Sequence, residues 1–516
     1  MAIASFIGVR GRRAAVALFL ASFAMLAVSA VPLAAGHHAR DQSHSLGGGH
    51  IKAPLAARRE VHGALGSRLL RRAQQAQAAR RRREAHSERR RPRRERPPYP
   101  QSLPELTHGL ASLSHRFERM PDGQPLPPPV PREILVLFDQ DQPQSLGGEL
   151  ARIHGLERLS GEPIPLLSAR AELMRVRGSR SEEGVLAALR RDPRVRSAQP
   201  NQRYLHTGAA DQRYLQSGDL GSLPKRSDIA APIPQWGPLK IALPEAHRQA
   251  LGRNVLIGVI DSAIDTSHPE LRGAIAGSFN AAGREDTVPD FHGTAVAGII
   301  RAHGLVESAA PESRILAARA FRTRDREGGP ETTTHILMAA VGWAVKSGAK
   351  ILNMSFIGAP DPALQQLLQA ANKKGIVVVA AAGNGGPTAP PVYPAAYPGV
   401  IAVTAIDEAD RPYESANRGP YISIAAPGVD ILAPIEHSGY AFVSGTSFAA
   451  AYVSGIAALL LERDPMLGPE AVARLIAAGA EDLGAVGWDD EFGAGRVNAH
   501  TSLKLLFNKI AVKRGD

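Results

Sequence analysis

The chain has 516 residues, 44% of them hydrophobic, which is enough for a large buried core and for about three domains. It has no cysteine, which excludes a disulfide scaffold, a thiolate-ligated zinc or iron–sulfur site and a cysteine nucleophile. The net charge of +12 is unevenly placed: residues 37–100 hold 17 Lys/Arg against 5 Asp/Glu, whereas residues 231–516 hold 24 against 28. The C-terminal half is therefore mildly acidic, and the basicity belongs to the segment before it.

In chain order, Arg10, Arg12 and Arg13 precede an apolar run, Ala14–Val28, and small residues at Val28-Ser29-Ala30. That order predicts a signal peptide over 1–30, with transient membrane contact and export to an extracellular, periplasmic or envelope location. An uncleaved anchor is the alternative, because apolar character continues to Ala35. Residues 31–130 are basic and rich in Arg and Pro, with few large apolar side chains, and are expected to be disordered. An arm for anionic lipid or nucleic acid is one reading. A solvated spacer fits better, since no aromatics are interleaved with the arginines, so no nucleic-acid partner is expected.

From Pro131 the pattern changes. Glu133–Phe138 and Ala171–Gly178 read as strands, and Gly148–His154 reads as a short helix. A second helix is capped by Ser181 and presents Val185, Leu186 and Leu189. It is broken by Pro193 before a last strand through Val195. Residues 131–205 are thus expected to be a small α+β domain, and the polar stretch 206–234 a linker. From 235 to 507, strands buried on both faces (Asn254–Ile260, Lys350–Met354, Ile376–Ala380, Val400–Thr404) alternate with helices (Thr332–Lys346, Ala363–Lys374, Phe448–Leu461), and 508–516 is a tail. Such alternation predicts an α/β, doubly wound, mostly parallel sheet, with its site beyond the carboxyl ends of the strands.

The polar residues at those ends form a chemical set. Asp261 follows the first strand, His292 opens a small-residue helix, Asn384 follows a later strand, and Ser447 stands at a Gly turn before a long apolar helix. A serine hydroxyl needs a neighbouring base, imidazole has a suitable pKa, and a carboxylate fixes the imidazole tautomer. The Asn384 amide and the Ser447 N–H would hold the oxyanion of a tetrahedral intermediate. His268 reads as packing. His303, His335 and His437 show no evident partner in the sequence, and Glu481, Asp482, Asp489 and Asp490 read as a solvated acidic loop.

Four motifs in order, VIDSAID, HGTAVAGI, AAGNGG and SGTSFAA, make residues 236–507 resemble a subtilisin-like serine protease of the subtilase family. The resemblance implies that Asp261, His292 and Ser447 are catalytic and that Asn384 serves the oxyanion hole. It also implies that Ser355, Phe356, Ile357 and Gly358 form a substrate-binding strand that pairs with an extended peptide. Residues 131–205 resemble the family's ferredoxin-like, inhibitor-like propeptide. A secreted, self-processing serine endopeptidase zymogen follows, acting as a monomer on polypeptides and inhibited by its own pro-domain. No cofactor is required and no metal ligand is assigned; calcium is possible but not evident, although Glu270 matches a position that often ligates it. Ala263, Ile357 and Ala451 depart from the usual Gly, Gly and Pro. Two other readings remain: a non-peptidase serine hydrolase or acyltransferase, and a non-catalytic envelope or anion-binding protein.

Overall fold

The computed structural model describes residues 126–206, 212–214, 232, 235–283, 288–322 and 331–515. The expected signal peptide and the basic segment up to residue 125 lie outside them. Among the described residues, no helix is long and apolar enough to cross a membrane.

The first domain runs β1 (Glu133–Asp139), α1 (Leu146–His154), β2 (Leu156–Ile164), β3 (Ala169–Val176), α2 (Glu182–Arg191) and β4 (Ser197–Pro200). Its antiparallel sheet has the order β2-β3-β1-β4. Ser181 caps α2, its hydroxyl accepting from Gly184 N at 3.1 Å. Strand β1 reads as a continuous apolar run because both of its faces are covered. Ile134, Val136 and Phe138 pack with Leu150 and Leu189 under the two helices. Leu135 and Leu137 join a second cluster with Leu337, Leu364 and Leu367 of the following domain. Strand β2 was not anticipated. Its sequence, LERLSGEPI, has no alternation, and pairing with β3 along its length, with one irregularity near Ser160, defines it.

Strands β5 (Arg203–His206) and β6 (Gln212–Tyr214) follow, so the polar stretch 206–234 contains a short strand. After the short helices α3 (Trp236–Lys240) and α4 (Leu243–His247) come β7 (Leu256–Asp261), β8 (Ile275–Asn280), α5 (Phe291–Arg301), β9 (Arg314–Arg319), β10 (Glu331–Thr333) and α6 (Thr334–Lys346). Then come β11 (Ile351–Met354), β12 (Phe356–Gly358), α7 (Pro362–Lys373), β13 (Val377–Ala381), β14 (Val400–Ile406) and β15 (Ile424–Pro427). The chain ends with β16 (Ile431–Ile435), β17 (Gly439–Val443), α8 (Thr446–Arg463), α9 (Pro469–Ala478) and α10 (Ala499–Gly515). Helix α6 starts two residues later than its Thr-rich start suggests. Thr332 and Thr333 are drawn into β10, where they pair with β5.

The main sheet has seven parallel strands in the order β15-β14-β13-β11-β7-β9-β8. From β7 the chain winds towards β9 and β8; from β11 it winds the other way, towards β13, β14 and β15. The order therefore reverses between β7 and β11, and a crevice opens beyond their adjacent carboxyl ends. Helix α8, buried from Thr446 to Leu461, crosses one face of this sheet.

Leu189 is fully buried in the first domain. In a full chain carrying Ser447→Ala, Leu189→Ala is expected to cost about 2–5 kcal/mol and to lower the first thermal unfolding midpoint. An unchanged midpoint in differential scanning calorimetry would show that this core does not hold the domain.

Candidate active site

Asp261 ends β7 at the reversal point and is buried. Its Oδ1 accepts from Ser262 N at 2.7 Å and lies 2.7 Å from His292 Nδ1. Burial alone would raise the Asp261 pKa. The imidazoles of His292 and His206, with the hydrogen bonds from His292 and Ser262, hold it below the ordinary carboxylate value. His292 is fixed by the start of α5, where Asp290 Oδ1 accepts His292 N at 3.0 Å. Ser262 Oγ sits 2.7 Å from Asp290 Oδ1 and accepts Gly293 N at 3.0 Å, so one hydroxyl ties the strand end to the helix start.

Ser447 is the second residue of α8, entered through Gly445, whose φ of 147° favours glycine. The Ser447 hydroxyl donates to Ser355 O at 3.4 Å, and Ser355 Oγ donates back to Ser447 O at 3.2 Å. Asn353 Nδ2 donates to Ser355 Oγ (2.9 Å), and Ser454 Oγ donates to Asn353 Oδ1 (2.8 Å), which pins α8 to the end of β11. The adjacent Phe448 ring lies 5.7 Å from the His292 ring, so α8 and α5 bring the serine and imidazole segments together. Asn384 Oδ1 accepts Thr446 N (3.0 Å) and Thr446 Oγ1 (2.8 Å). Its Nδ2 is buried with no protein acceptor, and is thus a donor held beside the first turn of α8.

The groove beside these groups holds a peptide strand. Strand β5 lies antiparallel between β10 and β12, pairing Tyr204 with Gly358, Leu205 with Ile357 and His206 with Phe356. The His206 ring stacks on His292 with centroids 4.3 Å apart and 14° between planes, and its Nε2 lies 3.4 Å from Asp261 Oδ1. Burial, then the neighbouring His292, pushes the His206 pKa down to about 3, against the pull of Asp261.

The residues expected from sequence thus converge, with Ser355 bonded to Ser447 and Phe356, Ile357 and Gly358 forming β12. The sequence reading missed Ser262, Asp290, Thr446 and His206. A polar residue two before His292 and a threonine directly before Ser447 are the local signals for Asp290 and Thr446. His206 has none, because only tertiary pairing brings it here. Both ring nitrogens of His268 serve structure, accepting Glu270 N and facing Gly439 O. His303 and His335 do have partners, Glu270 O at 2.8 Å and Ser160 Oγ at 2.9 Å, which lie far away in sequence.

Glu270 Oε1 accepts Leu305 N (2.6 Å) and Tyr440 Oη (2.9 Å), while its buried Oε2 has no hydrogen-bond partner among the described residues. Ligand atoms of His206, Asp261 and His292 lie within 4.8 Å of one another. The two imidazoles are stacked nearly parallel, however, so their in-plane lone pairs do not converge on one point.

An Asp–His pair at the reversal point of a parallel sheet, with a serine opening the buried helix across it, defines a class of serine peptidase. Residues 252–495 match the subtilase family model. The chain is 34% identical over 277 residues to thermitase of Thermoactinomyces vulgaris, covering 52% of this chain and 96% of that protein. It is 35% identical to the thermophilic serine proteinase of Bacillus sp. strain AK1, covering 54% of this chain and 66% of that one. The fold matches the crystal structure of fervidolysin from Fervidobacterium pennivorans, a keratinolytic enzyme related to subtilisin. That match has a TM-score of 0.61 at 23% identity, and covers 73% of this chain and 61% of that chain. The chain belongs to the subtilase family of serine endopeptidases, and spans about two thirds of the AK1 proteinase's length.

The folded pKa of His206 lies below its ordinary 6.5, so docking of β5 is favoured above pH 6.5 and weakens as pH falls from there towards about 3. Protection factors for amide exchange at 203–206 in the Ser447→Ala chain, corrected for the intrinsic pH dependence of exchange, are expected to fall across that window, and His206→Phe to flatten the response. A pH-independent protection factor in the parent would contradict this.

Proposed function

We propose that this protein is an exported serine endopeptidase, made as a precursor whose first domain blocks its own cleft. The observation that carries the reading is β5 lying as the central strand between β10 and β12, beside Asp261 and His292. A groove that holds an extended segment through main-chain hydrogen bonds suits polypeptide substrates, and it is indifferent to most side chains.

The chemistry follows from the residues around it. With the Nδ1 proton directed at Asp261, His292 keeps Nε2 as the basic nitrogen. Nε2 takes the Ser447 hydroxyl proton as Oγ attacks the scissile carbonyl, and later delivers it to the leaving amine. Asp261 stabilises the imidazolium that forms between these events, while its own proton balance is unchanged. The Asn384 Nδ2 donor and the Ser447 N–H stabilise the oxyanion. Water then repeats the sequence on the acyl-serine, so no cofactor is required. The first domain acts as an intramolecular inhibitor through β5, in a protein expected to work as a monomer.

Ser447→Ala is expected to abolish both labelling by a fluorophosphonate and casein hydrolysis. Asn384→Ala is expected to retain labelling slowly and to lose about 10²–10³-fold in kcat. Labelling that persists in Ser447→Ala would overturn the assignment, as would cleavage of small esters with no action on casein.

Export is supported by the Arg10–Ala30 pattern. N-terminal sequencing of the mature protein from medium or periplasm is expected to read a start between Tyr204 and Gln235. Recovery of only uncut chain from the cytoplasm would refute both export and self-processing.

A further inference from the structure

Tyr204 is the most deeply held side chain of β5. It is fully buried, lies edge-on to Phe356 at 5.7 Å, and crosses directly above Gly358. A Cβ at Gly358 would come within 2.3 Å of Tyr204 Cδ1, so the floor of this pocket is open only because residue 358 has no side chain. The hydroxyl end is not left in apolar surroundings. Tyr204 Oη donates to Asp361 Oδ2 at 2.7 Å, and Thr334 Oγ1 donates to the same oxygen at 2.5 Å.

Asp361 is buried and held from its other side. Its Oδ1 accepts Ala363 N and Leu364 N at 3.0 Å each, capping α7. Its backbone N–H donates to Tyr397 Oη at 2.7 Å, and its carbonyl accepts the same hydroxyl's proton at 2.9 Å. All of these partners belong to the peptidase domain and stay when β5 leaves. Gln199 Nε2, the remaining donor to Oδ1, belongs to the first domain. Departure of β5 therefore leaves a rigid pocket, aromatic on one wall and open at Gly358, that ends on a fixed carboxylate oxygen short of one donor.

We propose that Asp361 is a specificity-determining residue that selects tyrosine in polypeptide substrates, at the position two residues before the one that stacks on His292. The proposal rests on the peptidase reading above and extends it to substrate choice. An apolar pocket alone discriminates weakly between Tyr and Phe, because burying the ring is equally favourable for both. A buried acceptor reverses this: Phe leaves Asp361 Oδ2 with the Thr334 hydroxyl but one donor short, and Tyr supplies that donor. Burial and the Asp361 carboxylate both push the Tyr204 phenol well above its ordinary pKa, so it remains a donor throughout the working range.

The test uses quenched fluorescent peptides of sequence Gln-Arg-Xaa-Leu-His-Thr-Gly-Ala, which is residues 202–209 with Xaa as Tyr, Phe, Leu or Arg. Mature enzyme is expected to cleave the Tyr peptide with kcat/KM at least about tenfold above the Phe peptide, at the same bond by mass spectrometry. Asp361→Ser, which retains a capping oxygen too short to reach the phenol, should bring the Tyr/Phe ratio to within about twofold. A ratio near one in the parent enzyme overturns the proposal, as does a ratio unmoved by Asp361→Ser. Arg outperforming Tyr also overturns it, because the pocket would then be reading charge. Failure to cleave any peptide would instead refute the peptidase reading. In that event the full chain with Ser447→Ala still decides. Tyr204→Phe should speed amide exchange at 203–206 at least about tenfold when Asp361 is present, and no more than about twofold with Asp361→Ser. Equal acceleration in the two backgrounds overturns the proposal independently of catalysis.

Discussion

Keeping the carboxylate of Asp261 charged while buried at the end of β7 is the constraint on which the rest of the site turns. An unpaired buried charge costs several kcal/mol, and here the offset comes from groups that also position the chemistry. Ser262 N and the His292 ring are both 2.7 Å away. The strand end, the Ser262 hydroxyl and the Asp290 cap form one connected set, so His292 is oriented by the same hydrogen bonds that keep Asp261 below its ordinary pKa. The sheet explains why this occurs here. Only where winding reverses, between β7 and β11, do two neighbouring parallel strands leave their carboxyl ends without a helix directly above them.

The serine side is built separately and locked from below. Asn353, Ser355 and Ser454 tie β11 to α8 through buried polar groups satisfied by one another. Thr446 uses both its N–H and its hydroxyl to hold the oxygen of Asn384, which leaves the amide donor fixed rather than free to turn. Preorganisation of this kind matters more than proximity, since donors already aimed need no reorientation as charge develops.

The first domain and the cleft are coupled through one short strand and one two-faced strand. β5 fills the groove with backbone pairing on both sides, and its side chains alternate between uses: Tyr204 and His206 are buried in the groove wall and against His292, with Leu205 between them. β1 turns Leu135 and Leu137 towards the peptidase core, so the domain that presents β5 is anchored by apolar burial as well as by strand pairing.

Amino-acid order by itself determined the doubly wound sheet and the membership of its site. Runs such as VVVAA and VIAVTAI are buried on both faces; Asp261 and Asn384 stand where apolar strands stop, and His292 and Ser447 where apolar helices begin. Strand β2 was invisible because its partner, not its pattern, makes it a strand, and Thr332 left its expected helix because β5 competed for its backbone groups. The partners of His303 and His335, the stacking of His206 on His292 and the pocket joining Tyr204 to Asp361 were decided by tertiary structure alone. Each joins residues tens to more than a hundred positions apart. Local propensity carries no information about such pairs, because their energy arises only once burial has removed water from both members.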